Sequence, residues 1–262
     1  MEEASPPPYP ASLYEESMYI LVSSPMWPVL TLAHALFVCY KLRPIFIGRP
    51  PLLSAVCCVM ACLFGASLRY TLLGLPHPWL KSNVLIPGIL VCWGLMNYSY
   101  SDIVHRLYGD SPFLELGLVL EMVFKGRAII DGIELSLREI PDGIVAALVM
   151  GILSGTAGGF FSTLLHNVVA HDGMPSELSY PTFGLKGAVA ATLFYYCTLD
   201  PHHVLLGPLM PANLCKAVVI LSQVIGALNI HYSMIRSKRQ ALKAQKEAME
   251  KQQQKAKEKK FE

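Results

Sequence analysis

The chain has 262 residues, 53% of them hydrophobic and only 15% charged, with a formal net charge of +2 at pH 7 and a mean hydropathy of +0.43. Soluble domains carry about 25% charged residues, so this composition excludes an ordinary soluble domain and points to a polytopic membrane protein. The basic excess sits at one end, where residues 236–262 hold ten Lys/Arg against four acids, a distribution with no groove or helix motif for nucleic acid.

Residues 1–18 carry four acids, no base and a Pro-rich stretch, "SPPPYP". The basic start of a cleaved signal peptide is absent, so the first apolar span is expected to act as the insertion signal. The predicted architecture is all-α, with seven transmembrane helices at 19–40, 52–74, 84–107, 113–137, 143–169, 180–199 and 213–235. The first span contains Pro25 and Pro28 and is expected to start bent. The second, "LLSAVCCVMACLFGASLRYTLLG", is the cleanest apolar run. The fifth carries Gly155, Gly158 and Gly159 in "SGTAGGFF", and the sixth contains a lone base, Lys186. The seventh runs directly into the basic tail.

Orientation follows from the Lys/Arg bias of membrane proteins. Lys41, Arg43 and Arg49 of the first loop fall on the same side as the tail in a seven-span chain. That side is expected to be cytosolic, with the N-terminal segment luminal or external. The seven cysteines (39, 57, 58, 62, 92, 197 and 215) all fall in apolar stretches and read as small packing residues. The histidines are scattered, and no catalytic or metal-ligating spacing is present. No metal site and no enzyme activity are expected.

Shifted by 90 residues, "PLLSAVCCVMACLFG" (51–65) lies on "PDGIVAALVMGILSG" (141–155), with five identities that include Gly65 on Gly155. The offset covers three spans, so the second copy is inverted relative to the first. The prediction is two inverted three-helix repeats, about 19–107 and 113–199, plus a seventh helix outside them. Such repeats place a binding or permeation site near the bilayer midplane between the copies.

The fourth span holds the most unusual stretch, "EMVFKGRAIID" (121–131). At 100° per residue Glu121 and Lys125 form an i,i+4 pair, and Arg127, Asp131, Glu134 and Arg138 cluster on another face. A charge at the bilayer centre costs about 2.5–3.5 kcal/mol on the insertion scale, so four cost on the order of 10 kcal/mol. Lipid exposure on both faces is thereby excluded. Three environments remain open: interhelical salt bridges, a water-lined path, and an anionic lipid site. For the Gly cluster the alternatives are close helix packing and a kink that bares carbonyls to a pore. Lys186 either snorkels to the interface or points into a cavity. Asp102 has Arg106 four residues on and reads as a local pair.

Taken together and in order, these stretches resemble the trimeric intracellular cation channel family, from about residue 29 to 232. Helix 2, Trp93 followed by Asp102, the "SGTAGG" cluster and "SYPTFGLKG" each resemble a family segment; Tyr100 stands where the family has Pro. The family's fourth-helix motif, Lys-Glu-Val-x-Arg-x-x-Lys-Ile-x-x-Gly-Ile, lands on 121–133. Val123, Ile129, Gly132 and Ile133 match, and Lys125 takes the Arg position. Glu121 and Ala128 stand where the motif has Lys, with Arg127 beside the latter. The resemblance implies a phosphoinositide headgroup site at Lys125, Arg127 and Glu121, and a pore or gate involving Lys186, Gly155, Gly158, Gly159, Asp102 and Gly65. The family's sixth-helix Lys falls on Phe183, three residues before Lys186.

The resemblance further implies a homotrimer with one potassium-conducting pore per subunit, balancing charge as calcium enters or leaves the endoplasmic or sarcoplasmic reticulum or the nuclear envelope. It requires no cofactor, the phosphoinositide being an optional ligand. Lys259 and Lys260 in "KKFE" resemble a dilysine retrieval signal of reticulum membrane proteins. The rival classes are a secondary transporter or lipid-binding membrane protein, which also uses inverted repeats and midplane charges, and a non-conducting membrane scaffold.

Overall fold

A computed structural model of the chain describes residues 17–23, 25–170, 182–199 and 209–258. Among them there is no strand. The helices are α1 (Val29–Leu42), α2 (Pro51–Leu72), α3 (Leu85–Tyr98), α4 (Ile103–Gly109), α5 (Ser111–Glu139), α6 (Ile144–Leu165), α7 (Phe183–Leu199) and α8 (Ala212–Glu258), with short 3-10 and π turns between them. Val29–Phe46, Pro51–Leu72, Ile144–Val169 and Ala212–Ala241 are long and apolar enough to cross a membrane, and Leu85–Tyr98 and Phe183–Leu199 are shorter apolar helices. The protein is an all-α polytopic membrane protein. It divides into two units, Met1–Val224 and Ile225–Glu262; in the second, α8 continues as a helix through the basic tail. The acidic segment falls almost wholly outside the described residues, as do Lys259 and Lys260.

Local chemistry sets the boundaries. Pro51 opens α2 at its first turn, where a missing N–H costs nothing. The same helix ends at Gly74, whose φ of +66° only glycine adopts without strain. There Gly74 N–H donates to Thr71 O at 3.1 Å and Leu75 N–H to Tyr70 O at 2.9 Å, a Schellman closure. The third predicted span departs from the reading as one helix. It breaks at Ser99–Asp102, where Ser101 and Asp102 take φ of +49° and +63°. At 1.5 Å per residue α3 is about 21 Å long, short of the ~30 Å hydrocarbon core, so α3 and α4 cross only together.

Two clusters form the core, and the first also takes in Leu165 of α6. Cys39, Leu42, Cys58, Ala61 and Met96 join α1, α2 and α3. Ile129, Ile133, Ala147, Ala188, Tyr195, Cys215 and Ile220 join α5, α6, α7 and the start of α8. Between halves, α1 packs on α5 and α2 on α6. His34 stacks on Phe124, 90 positions later, with ring centroids 4.2 Å apart. A Cβ on Gly65 would touch Ser154 O at 3.6 Å, one residue from its counterpart Gly155. Contacts between a residue and its own counterpart occur only on a twofold axis, so the pseudo-symmetry axis of the inverted repeats runs through these two crossings.

The tightest helix contact is α5 on α6. A Cβ at Gly132 would lie 2.7 Å from Met150 O and against the Ser154 hydroxyl. Gly132→Ala should therefore destabilise the protein by ~1–3 kcal/mol, the usual cost of overpacking. Thermal unfolding in detergent checks this, and an unchanged midpoint would mean that the two helices separate freely.

Candidate functional site

On α5, Glu121, Phe124, Lys125, Ala128 and Asp131 fall within an arc of about 120°. They form a stripe about 15 Å long, ten residues at 1.5 Å each. Two cavities flank it. The first, of about 310 Å³, is lined by Lys41, Glu121, Lys125, Gly158, Gly159 and Ser162, among others. The second, of about 350 Å³, is lined by Thr31, Gly65, Arg69, Asp131, Ser154 and Gly155, among others. Both cavities share His34, Ala61, Lys125 and Gly158. The His34–Phe124 stack stands at this shared waist, on the pseudo-twofold axis.

The waist is held by charge. His34 Nδ1 lies 2.6 Å from Glu121 Oε2, and Lys125 Nζ lies 3.5 Å from Glu121 Oε1. Glu121 is only 3% exposed, so a single buried carboxylate faces His34 across the α1–α5 contact and Lys125 one turn on along α5. Lys41, exposed on the wall of the first cavity, adds a further positive charge there. In the second cavity Arg69 Nη1 donates to Ala128 O at 3.3 Å and reaches Ser154 Oγ at 3.5 Å, which ties α2 to α5 and α6.

The predicted site residues separate into three groups. Glu121, Lys125, Gly65, Gly155, Gly158 and Gly159 come together around the two cavities. Gly155 also serves close packing, since a Cβ there would meet Ile129 Cγ1 at 2.8 Å and Ala188 Cβ at 3.0 Å. The Gly cluster lies within an unbroken helix, and Gly159 O accepts from Thr163 Oγ1 at 3.1 Å. Arg127 is buried and lines neither cavity, because it stands about 120° around α5 from Glu121. Lys186 is exposed on α7, also away from both cavities.

Asp102 does not form the local pair expected with Arg106. Its left-handed backbone caps α4 instead of continuing a helix, and its Oδ1 meets Arg43 Nη1 at 2.7 Å. The face assigned to Arg127, Asp131, Glu134 and Arg138 divides further. Glu134 Oε1 accepts from the Tyr195 hydroxyl at 2.6 Å and lies 2.7 Å from Lys216 Nζ. Arg138 is exposed beside Glu139. Asp131, at the edge of that face, turns into the second cavity. The sequence reading missed His34, Phe124, Arg69 and Lys41. The 90-residue offset was the available signal for the first two, since 34 and 124 are counterparts.

An all-α membrane protein with a charged cleft between two inverted halves is the framework of a channel or a transporter. A family model described as TRIC channel matches residues 44–232, most of the chain, and the chain belongs to this family of channels. Similar solved structures include a trimeric intracellular cation channel from C. elegans in the absence of Ca2+, with TM-score 0.70, 22% identity, and coverage of 81% of this chain and 93% of that one. A structure of TRIC counter-ion channels in calcium release matches with TM-score 0.67 and 18% identity, covering 82% and 98%. The TRIC orthologue from Rhodobacter sphaeroides matches with TM-score 0.56 and 16% identity, covering 81% and 96%. These likenesses show the fold. No curated protein matches the sequence.

Proposed function

We propose that the chain is a monovalent cation channel, conducting chiefly potassium, that supplies counter-ion current across a reticulum membrane as calcium is released and taken up. The observation that carries this reading is the pair of cavities meeting at His34, Phe124 and Lys125 between the two halves. A continuous stripe of α5 lines both, so one ion could touch protein from end to end of the path. The names of the similar structures, trimeric and counter-ion, support a homotrimer and the calcium-linked role. The basic tail supports a cytosolic C-terminus and a luminal N-terminus.

Purified protein in a planar bilayer tests the reading. Ohmic unitary currents in KCl support a channel. Saturable, substrate-coupled flux supports the transporter, and silence supports the scaffold. Lys125→Glu places a second acid beside Glu121 at the waist. It should change unitary conductance or open probability by several-fold, since charge in a narrow low-dielectric passage alters local ion concentration by ~10-fold or more. An unchanged current would remove Lys125 from the path.

One observation favours a second role for the first cavity. Lys41 and Lys125 face it together with Ser162, a donor set that suits a phosphoinositide headgroup. Arg127 would not contribute from where it stands. If the lipid binds, Lys125→Glu abolishes the response of the current to added phosphoinositide.

A further inference from the structure

The side chains that separate the two cavities can themselves carry a proton. The His34 and Phe124 rings stack with centroids 4.2 Å apart and planes within 10°, so an ion has no room between them. His34 lines both cavities, whereas Glu121 lines the first. Both residues are buried, and His34 Nδ1 lies 2.6 Å from Glu121 Oε2, a distance at which a proton passes directly. The other ring nitrogen, Nε2, makes no hydrogen bond among the described residues, and it is not one of the buried polar atoms left without a partner. It is therefore open to water in the cavities.

Imidazole can accept a proton on one nitrogen and release one from the other, and His in contact with Asp or Glu inside a membrane is the material of proton relays. The carboxylate stands on one side of the ring only. In the other half the counterpart of Glu121 is Thr31, whose hydroxyl donates to Met26 O at 3.1 Å. Around the pair, Lys125 of α5 lies 3.5 Å from Glu121 Oε1, and Lys41 of α1 and Tyr108 of α4 act on the same carboxylate. Arg69 of α2 and Asp131 of α5 line the second cavity, and His166, just past α6, lines the first. The two lysines oppose a lasting extra proton at the pair by simple repulsion, and a relay must release what it takes up.

We propose that His34 and Glu121 relay protons across the waist, giving the chain a proton conductance that runs through side chains and is separate from any path for larger ions. A proton from water in the second cavity adds to His34 Nε2, the Nδ1 proton passes to Glu121 Oε2, and the carboxyl group releases it to water in the first cavity. The ring regains its starting tautomer by exchanging both ring protons with water of one cavity, which carries no net charge across. The relay runs in either direction, as the proton gradient dictates, and it does not rest on potassium conduction.

Phosphatidylcholine liposomes with an entrapped pH dye test it. Valinomycin with equal potassium on both sides holds the membrane potential at zero, so potassium flow through the protein does not reach the readout. Wild-type protein should dissipate an imposed pH step several-fold faster than protein-free liposomes do. His34→Gln, which keeps a hydrogen-bonding side chain opposite Glu121 but cannot take up and release a proton, should return the rate to the protein-free level, and Glu121→Gln should do the same. Wild-type liposomes no faster than protein-free ones would overturn the relay even if both variants failed to fold. His34→Gln protein that elutes as wild type does and keeps the wild-type rate would also overturn it. Proton flux through a wild type that is silent to potassium in planar bilayers leaves the relay standing and the channel reading fallen. Potassium current without proton flux leaves the channel standing and the relay fallen.

Discussion

Glu121→Ala is expected to be the most damaging single substitution at the waist. It removes the one carboxylate that faces both His34 and Lys125, at 2.6 and 3.5 Å. Glu121 is 3% exposed, so its carboxylate is largely shielded from bulk solvent. Taking one partner from a buried ion pair typically costs ~3–5 kcal/mol, because the other charge is left uncompensated. Here Lys41 on the same cavity wall adds like-charge repulsion to the loss. The measurement is thermal unfolding of purified protein, with His34→Ala and the double variant completing a cycle. A coupling energy of ~1 kcal/mol or more between His34 and Glu121 is expected for groups in direct contact. Additive effects would show that the His34–Glu121 contact contributes nothing to stability.

Phe124→Ala is expected to widen the path and raise unitary conductance. The Phe124 ring covers His34 at 4.2 Å where the two cavities share walls. Removing it opens the wall of the second cavity over His34 while leaving the Glu121–Lys125 ion pair in place. Phe→Ala in a packed core costs ~3–5 kcal/mol, and the cost here should be below that range because Phe124 is only half-buried. A folded variant with wild-type conductance would place the ion path elsewhere.

Much of this architecture was legible because membrane helices announce themselves by length and apolarity. The fourth predicted segment does form a helix despite its charges, and Glu121 and Lys125 do pair as the i,i+4 spacing required. The 90-residue offset, resting on matches such as Gly65 with Gly155, predicted inverted halves, and the structure puts counterparts in contact. The break in the third span was not legible. "NYSYSD" follows a run of mean apolar character with no proline to stop it, and the partner of the left-handed Asp102 is Arg43, more than fifty residues away in sequence. The partners of the charges were equally hidden. Helical spacing sets the face of Glu134, but only the tertiary fold brings Lys216 and Tyr195 to it. His34 carries no local pattern at all; its role depends on Glu121 lying opposite.

The place of His34 and Phe124 on the pseudo-twofold axis has a consequence for how the two halves can diverge. A point on such an axis is its own image, so in a perfectly duplicated chain one side chain would meet a copy of itself there. Two histidines would leave one imidazole without an acid to face, and two phenylalanines would leave Glu121 without its polar partner on α1. An unlike pair supplies a flat aromatic lid and a polar ring nitrogen at one spot. Elsewhere each half can vary on its own, but at this position neither residue can change without altering what its twin encounters.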